Sequence, residues 1–251
     1  MEGCVTVYGE KIETSNNGTK LEITNSDVKN LANITDIKGL FKLKNLIELR
    51  LFLNDIRTIE GLESLTDLQV LTLSSNNIEV IDGLEHLTNL KKLWLSRNKI
   101  KRIKGLNYLK GLEDLRIDQN KLRKIEGLDN LKNLKVLFLR NNQISEIKGL
   151  DTLINLEVLD LKNNKIHDIK GLDYLYKLKI LYLSNNGITE IKNLNSLTSL
   201  KELHLDNNQI PVIKGLGNLR KLRYISLKKN SLHKQYISDV YSGESIHLMF
   251  P

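Results

Sequence analysis

The sequence predicts an α/β repeat solenoid, in which short stacked coils place their strands side by side in one parallel sheet. The 251 residues include 49 Leu and 28 Asn. Leucine needs a core and asparagine favours turns, so this pairing excludes both a coiled coil and a disordered chain. Leucine or isoleucine also recurs with a fixed 22-residue period. The same position of nine successive frames is Asn54, Asn76, Asn98, Asn120, Asn142, Asn164, Asn186, Asn208 and Asn230.

The N-terminal end reads as a cap followed by an irregular first repeat. Residues 1–17 are predicted to be a hairpin cap, in which 5–8 pairs with 20–23 around the turn formers Asn16-Asn17-Gly18. Residues 18–45 are a degenerate first repeat, in which Leu21 and Ile23 supply the strand. About six residues more than the regular period separate that strand from the next one.

Regular repeats fill residues 46–230, and we number them coils 1 to 9, of which the first three begin at Leu46, Leu68 and Leu90. Leu or Ile at positions 4 and 6 predicts a short strand with one buried face. The asparagine at position 9 follows the strand, and we expect its side chain to bond backbone groups of the next coil. Position 16 is glycine in coils 1 to 8, with the single exception of Asn193. Because glycine and asparagine are the residues that tolerate the left-handed region, a positive φ is predicted at this position. The glycines are Gly61, Gly83, Gly105, Gly127, Gly149, Gly171 and Gly215.

Residues 231–251 are predicted to be a C-terminal cap, because the repeat pattern fails after Leu232. One helical face is predicted from Leu232, Tyr236, Ile237, Val240 and Tyr241. Ile246, Leu248 and Phe250 then alternate as a strand. We therefore expect one domain over residues 1–251, with no second core.

The 22-residue length and the segment I-x-x-I-x-G-L-x-x-L resemble the short leucine-rich-repeat class typified by the nuclear regulatory subunit of protein phosphatase 1. The resemblance covers about residues 18–232 and extends to a spliceosomal ribonucleoprotein subunit, a dynein light chain and the bacterial internalins. It implies a right-handed horseshoe with a parallel concave sheet and short 3-10, helical or extended convex turns. It also implies protein binding on the concave face without catalysis. Internalins are secreted and carry an immunoglobulin-like domain after the repeats, and neither feature is recognised in this sequence.

In this geometry the side chains at positions 3, 5, 7, 8 and 10 project from the concave surface into solvent. Five of the 13 aromatic residues fall on them, about twice the number that chance placement gives. Aromatic and arginine side chains dominate the energetics of protein interfaces, although strands also favour aromatic residues for their own packing. Both interpretations stay open at this point. The candidate partner-binding residues are Phe52, Trp94, Arg116, Phe138, Arg140, Asp160, Tyr182, His204 and Tyr224.

Catalysis is not expected. A Ser–His–Asp relay can be drawn through Ser226, His204 and Asp160, but the surface is shallow and the sequence offers no evident oxyanion donors. The spacings of metal ligands and of phosphate-binding glycine loops are also missing, so we expect neither a metal nor a cofactor. A solvated histidine in a polar row is the simpler interpretation of His204.

The net charge of +8 does not by itself indicate nucleic acid. Positions 3, 5, 7 and 8 carry eight basic and six acidic residues, and a groove that follows phosphates should not contain so many carboxylates. We therefore expect a protein partner on the concave surface and no nucleic acid. The resemblance leaves two narrower alternatives: a regulatory subunit of a Ser/Thr protein phosphatase and an RNA-associated ribonucleoprotein subunit.

The remaining expectations concern compartment and assembly. The chain has no apolar run of the roughly 18 to 20 residues that span a bilayer, and its first residues do not read as a secretory signal. Cys4 is the single cysteine, so an intrachain disulfide is excluded. These features favour a cytoplasmic or nuclear monomer without membrane contact.

Overall fold

A computed structural model describes residues 3–232 and 247–249. Within these ranges, eleven short strands form one sheet in which each strand pairs with its neighbours in chain order. All of these pairings are parallel, so the predicted solenoid with a single parallel sheet is confirmed. The strands of the described residues are β1 Cys4–Val7, β2 Glu10–Glu13, β3 Lys20–Glu22, β4 Glu48–Arg50, β5 Val70–Thr72, β6 Lys92–Trp94, β7 Asp114–Arg116, β8 Val136–Phe138, β9 Val158–Asp160, β10 Ile180–Tyr182, β11 Glu202–His204, β12 Tyr224–Ser226 and β13 His247–Met249, and the single parallel sheet consists of β3 to β13.

The N-terminal hairpin differs from the predicted one. Strand β1 pairs antiparallel with β2, and the turn between them consists of Tyr8 and Gly9, with φ of 51° and 93°. Two successive residues with positive φ match the right-handed twist of the flanking strands. The predicted pairing of 5–8 with 20–23 was wrong, because β3 is the first strand of the parallel sheet and pairs with β4.

The first repeat contains the only helical segments of the described residues. Lys20 of β3 lies opposite Glu48 of β4, whereas Glu48 lies opposite Val70, so the first step along the chain is longer than the next one. Two 3-10 helices, Ile34–Asp36 and Leu40–Lys42, occupy the longer connection. In the regular coils the described convex segments are turns, bends and chain without regular secondary structure, and none of them is helical.

The position-9 asparagines bond backbone groups of a neighbouring coil as predicted, but that coil is the preceding one, and we call the repeated set of bonds the asparagine ladder. The Asn120 side chain is buried, and its Nδ2 donates to the carbonyls of Leu95 (3.0 Å) and Ile117 (3.2 Å). Its Oδ1 accepts the Ile100 N–H at 2.9 Å. The side chain thus bonds its own coil and the preceding one, not the next coil as we expected. The first member is incomplete, because Asn54 Oδ1 is buried without a hydrogen-bond partner in the described part of the chain.

Position 16 has the predicted positive φ. The seven glycines have φ between 67° and 85°, and Asn193 has φ of 57°. A Cβ atom on Gly127 would lie 2.5 Å from the Ile103 carbonyl oxygen of the preceding coil. At the asparagine, Nδ2 donates instead to the equivalent Ile169 carbonyl at 2.8 Å. The glycine is therefore required by backbone geometry and by the close approach of two coils.

Position 8 also has a positive φ in every coil, which the sequence did not indicate. The values lie between 53° and 57°, for residues as different as Leu53, Arg97 and Lys229. Only coils 5 to 8 carry asparagine there, and their amides join coil to coil, as in Asn163 Nδ2 to Asn141 Oδ1 at 2.5 Å. This residue turns the chain out of the sheet just before the buried asparagine.

At the C-terminus, β13 pairs with β12 and places His247 opposite Tyr224. It overlaps the strand predicted at 246–250. The predicted helical face from Tyr236 to Tyr241 lies outside the described residues. No helix in the described ranges is long and apolar enough to cross a membrane.

Candidate interaction surface on the concave sheet

Position 5 of each coil is the last residue of its strand and forms a row across the concave sheet. The parallel register places Trp94, Arg116 and Phe138 on adjacent strands. Asp160, Tyr182 and His204 continue the row on the next three strands. Because neighbouring strands lie roughly 4.8 Å apart, consecutive side chains of this row are in contact distance.

Trp94, Arg116 and Phe138 form a cation–aromatic triplet. The Arg116 guanidinium carbon lies 4.7 Å from the Trp94 ring centroid and 5.0 Å from that of Phe138. Arg116 is oriented by Asp114, two residues earlier on the same strand face, whose carboxylate accepts from Nε at 3.0 Å and from Nη2 at 2.9 Å. Both rings are therefore held by a guanidinium that is itself fixed at its other edge.

A second cluster, the ring stack, consists of Tyr182, His204 and Tyr224. The His204 ring centroid lies 4.5 Å from that of Tyr182 and 4.9 Å from that of Tyr224. Tyr224 is at position 3, so it lies diagonally across the sheet from His204 and directly opposite Glu202. Glu202 in turn lies 3.3 Å from His204 Nε2. Burial raises the pKa of Tyr182, and the negative charges of Glu202 and Asp160 raise it further.

Asp160 separates the triplet from the ring stack. Its side chain is buried between Phe138 and Tyr182, and burial raises the pKa of the carboxyl group. The Lys162 N–H, which donates at 3.0 Å, and the charge of Arg140 act against this rise in pKa. The folded protein thus keeps a carboxylate where its charge is unfavourable.

Replacing Asp160 with asparagine is expected to raise the melting temperature at pH 7. The amide oxygen still accepts the Lys162 N–H, and the cost of burying a charge is removed. A raised pKa means that the folded protein binds the proton more tightly than the unfolded chain, so this cost is present above the folded pKa and disappears as pH falls below it. The gain of D160N should therefore narrow as thermal unfolding is measured at decreasing pH. A gain that does not change with pH would contradict this account.

The candidate Arg140 and Arg50, a concave-face residue that is not among the candidates, are also paired with carboxylates. Arg140 Nε lies 3.7 Å from the buried carboxylate of Asp118. Arg50 contacts Glu48 at 2.5 Å and Glu22 at 3.6 Å. Together with Arg116, three arginines of this face are already committed to acidic side chains. This pairing supports the expectation that the concave face does not follow a phosphate backbone.

Phe52 lies away from the triplet but shares a cavity with its first ring. The cavity has a volume of about 380 Å³ at the N-terminal part of the concave face, within the size range of ligand pockets. Trp94 Nε1 and Thr72 Oγ1 are both buried there without a hydrogen-bond partner among the described residues. The residues that line the cavity are Arg50, Phe52, Leu53, Thr72, Ser74, Ser75, Trp94 and Arg97.

The three residues of the hypothetical Ser–His–Asp relay, Ser226, His204 and Asp160, are not hydrogen-bonded to one another. The Ser226 hydroxyl donates to Asp206, not to His204. The imidazole is held between two tyrosine rings, and Asp160 bonds the Lys162 backbone. Within the described ranges, no group of three or more His, Cys, Asp and Glu residues is arranged to hold a metal ion. The arrangement is suited to contact with another surface and not to proton transfer.

Two features of the surface, one aromatic and one basic, were not predicted from the sequence. Tyr108, Tyr174 and Tyr176, which follow position 16 on the return part of their coils, are more than half exposed. The concave rings are therefore distinguished by their arrangement and not by greater exposure. A basic cluster on the turns of coils 3 and 4 was also missed, because buried isoleucines and leucines interrupt its lysines and arginines.

The comparisons with known proteins support the fold and the repeat. A family model described as "Leucine Rich repeats (2 copies)" matches residues 66–108, 88–130, 132–174 and 176–213. A comparison of the sequence with curated proteins found no match. Internalin C2 from Listeria monocytogenes str. 4b F2365 is 35% identical, with a TM-score of 0.71 over 78% of this chain and 87% of internalin C2.

Two larger receptors are similar over part of their length. TLR13, solved as a complex with ssRNA13, is 25% identical, with a TM-score of 0.69 over 83% of this chain and 34% of the receptor chain. The ectodomain of the Arabidopsis thaliana receptor kinase GASSHO1/SCHENGEN3, solved in complex with CASPARIAN STRIP INTEGRITY FACTOR 2, is 27% identical, with a TM-score of 0.63. That match covers 76% of this chain and 25% of the ectodomain chain.

Proposed function

Because this chain belongs to the leucine-rich repeat family, we propose that it is a non-catalytic scaffold that binds a protein partner on its concave face. The observation that carries the proposal is the pair of preassembled clusters, the triplet and the ring stack, each of which spans three adjacent strands. Internalin C2, TLR13 and the plant receptor ectodomain show that the fold recurs in proteins that include ligand-bound receptors.

The physical basis is preorganisation. The aromatic side chains of both clusters are half-buried on a rigid sheet, so binding orders few additional rotatable bonds. Val136, Val158 and Ile180 form a half-buried aliphatic row beside the position-5 row. A partner thus meets apolar area with charged and polar groups around it, which is the composition of protein interfaces.

The test is a triple variant with a matched control on the return face. Trp94→Ala, Phe138→Ala and Tyr182→Ala together should weaken capture of the partner from the source cell by about 100-fold or more, since interface aromatics contribute about 2 kcal/mol each. Tyr108→Ala, Tyr174→Ala and Tyr176→Ala together remove three exposed aromatics from the return face. Partners would be identified by affinity capture with cross-linking, and affinities then measured with the purified protein.

Circular dichroism would confirm that both triple variants keep the fold. The proposal predicts that only the concave variant loses the partner. Retention of full affinity by a folded concave variant would refute it, as would equal losses in the two variants.

A Ser/Thr phosphatase catalytic subunit is a narrower candidate for the partner, from the resemblance to the phosphatase regulator. Acidic and aromatic residues on the concave face, among them Trp94, Asp160 and Glu202, favour it. Arg50, Arg116 and Arg140 distinguish this surface from the regulator's acidic one. An RNA partner is the other narrow alternative, and a cytoplasmic or nuclear location stays a prediction. The identity of the captured molecule decides among these.

A further inference from the structure

A second candidate site lies on the turns of coils 3 to 5, where the chain leaves the sheet. It is a cavity of about 440 Å³, within the size range of small-molecule pockets. Five basic side chains and one carboxylate line it, and we call it the basic turn pocket. Its residues are Lys101, Arg102, Lys121, Arg123, Lys124, Glu126 and Gln143.

Only part of this positive charge is neutralised. Lys101 pairs with Glu79 at 3.0 Å, and Arg102 pairs with Glu126 at 3.0 Å. Within residues 3–232, none of the other three cations, Lys121, Arg123 and Lys124, has a carboxylate within 4 Å. The pKa of Glu79 is lowered, first by its hydrogen bond to Lys101 and also by the charges of Lys121 and Lys99. Cations from two successive coils therefore act on the same small volume.

The excess of basic residues on these turns is concentrated in coils 3 and 4. At position 13 the residues are Arg102 and Lys124 in these coils, and Glu146, Asp168 and Glu190 in coils 5 to 7. The lysines at position 15 of coils 5 to 7 pair with those carboxylates, and coil 2 contributes Glu79 at position 12. An extended polyanion that runs along the solenoid would therefore meet paired charges on one side and a carboxylate on the other, whereas a compact anion would contact the excess cations alone.

We propose that the basic turn pocket binds a compact polyphosphate anion, that is, a small molecule with two or more linked phosphate groups. The Arg123 guanidinium supplies a planar pair of donors suited to phosphate oxygens, and Lys121 and Lys124 supply point charges beside it. Several adjacent cations without carboxylate partners match a ligand that carries several adjacent negative charges. The site does not depend on a partner on the concave face.

The test is calorimetric titration of the full chain with inorganic tripolyphosphate at fixed ionic strength. Arg123→Gln and Lys124→Gln together should weaken binding about tenfold or more, because two charge-assisted contacts are lost. Lys110→Gln and Lys132→Gln remove the same charge from position 21 of coils 3 and 4, outside the pocket. This control should change the affinity less than about twofold, since both side chains are exposed, do not line the pocket and are screened by salt.

Parallel titrations distinguish the possible sources of phosphate. Phosphatidylserine vesicles and a 20-nucleotide oligouridylate should bind no more tightly than tripolyphosphate. Tighter binding of either, no binding of tripolyphosphate, or equal losses in the two double variants would overturn the proposal. If the first double variant does not fold, Lys121→Gln supplies the same test, and unchanged affinity in that folded variant would also overturn it.

Discussion

Replacing Asn120 with alanine is expected to lower the free energy of unfolding by about 3 kcal/mol or more. The substitution leaves the Ile100 N–H without its only acceptor in the described chain. It also removes one of the two amide donors of the Leu95 carbonyl, which keeps Asn98 Nδ2 at 3.1 Å. Ile100 and Leu95 belong to the preceding coil and lie inside the solenoid, where water does not replace the lost bonds. Because stability in a solenoid depends on the interfaces between neighbouring repeats, the loss falls on the junction of coils 3 and 4.

Urea unfolding followed by circular dichroism measures this loss, and Asn54→Ala is the internal control. Asn54 occupies the same position but keeps only amide donations, to Ile23 at 2.8 Å and Phe52 at 3.2 Å, while its Oδ1 has no partner in the described chain. Its replacement leaves no backbone N–H unpaired, so a smaller loss is expected. Equal losses of unfolding free energy in the two variants would show that the bond from the Ile100 N–H to Asn120 Oδ1 does not stabilise the fold.

Replacing Gly127 with alanine is expected to cost about 2–4 kcal/mol, from the strain of a non-glycine residue at positive φ plus a steric clash. The added Cβ would meet the Ile103 carbonyl oxygen at 2.5 Å, so one coil must move away from the other. Gly127→Asn should lose less, because Asn193 occupies the same position with φ of 57° and its amide bonds the equivalent carbonyl. The measurement is again the free energy of unfolding in urea.

Gly111→Ala provides the matched control. Gly111 has no positive φ, and its added Cβ would approach other atoms only to 3.8 Å. Its replacement should change stability by less than about 0.5 kcal/mol. If Gly127→Ala were equally harmless, the glycine at position 16 would not be a conformational requirement.

The fold was predictable because one repeat unit recurs along the chain and each of its positions keeps one physical role. The buried aliphatic positions, the asparagine ladder and the positive φ at Gly127 and Asn193 all follow from that repetition. The N-terminal cap occurs once, so its pairing had to be inferred from Asn16-Asn17-Gly18 alone. The shorter turn at Tyr8-Gly9 formed the hairpin instead, because β3 was required by the parallel sheet.

The sequence predicted which residues of the candidate site share the concave face, but it did not predict which of their side chains contact one another. Counting positions placed Trp94, Arg116 and Phe138 on one face, but it did not indicate that Asp114 fixes the guanidinium between the two rings. Contacts of this kind depend on rotamers and on diagonal neighbours, as with Tyr224 and His204. The basic turn pocket was hidden for a related reason, since its cations come from different coils.

Site-specific photo-cross-linking tests the central claim, that the concave sheet is the binding surface. Val158 is half-buried on that sheet, and Ile154, four residues earlier, is an exposed residue at position 21 of coil 5, on the return part of the coil. Each is replaced in turn by p-benzoylphenylalanine, and the protein is irradiated with its captured partner. The account predicts a covalent adduct with the partner from position 158 and none from position 154. An adduct from position 154 without one from position 158 would contradict it.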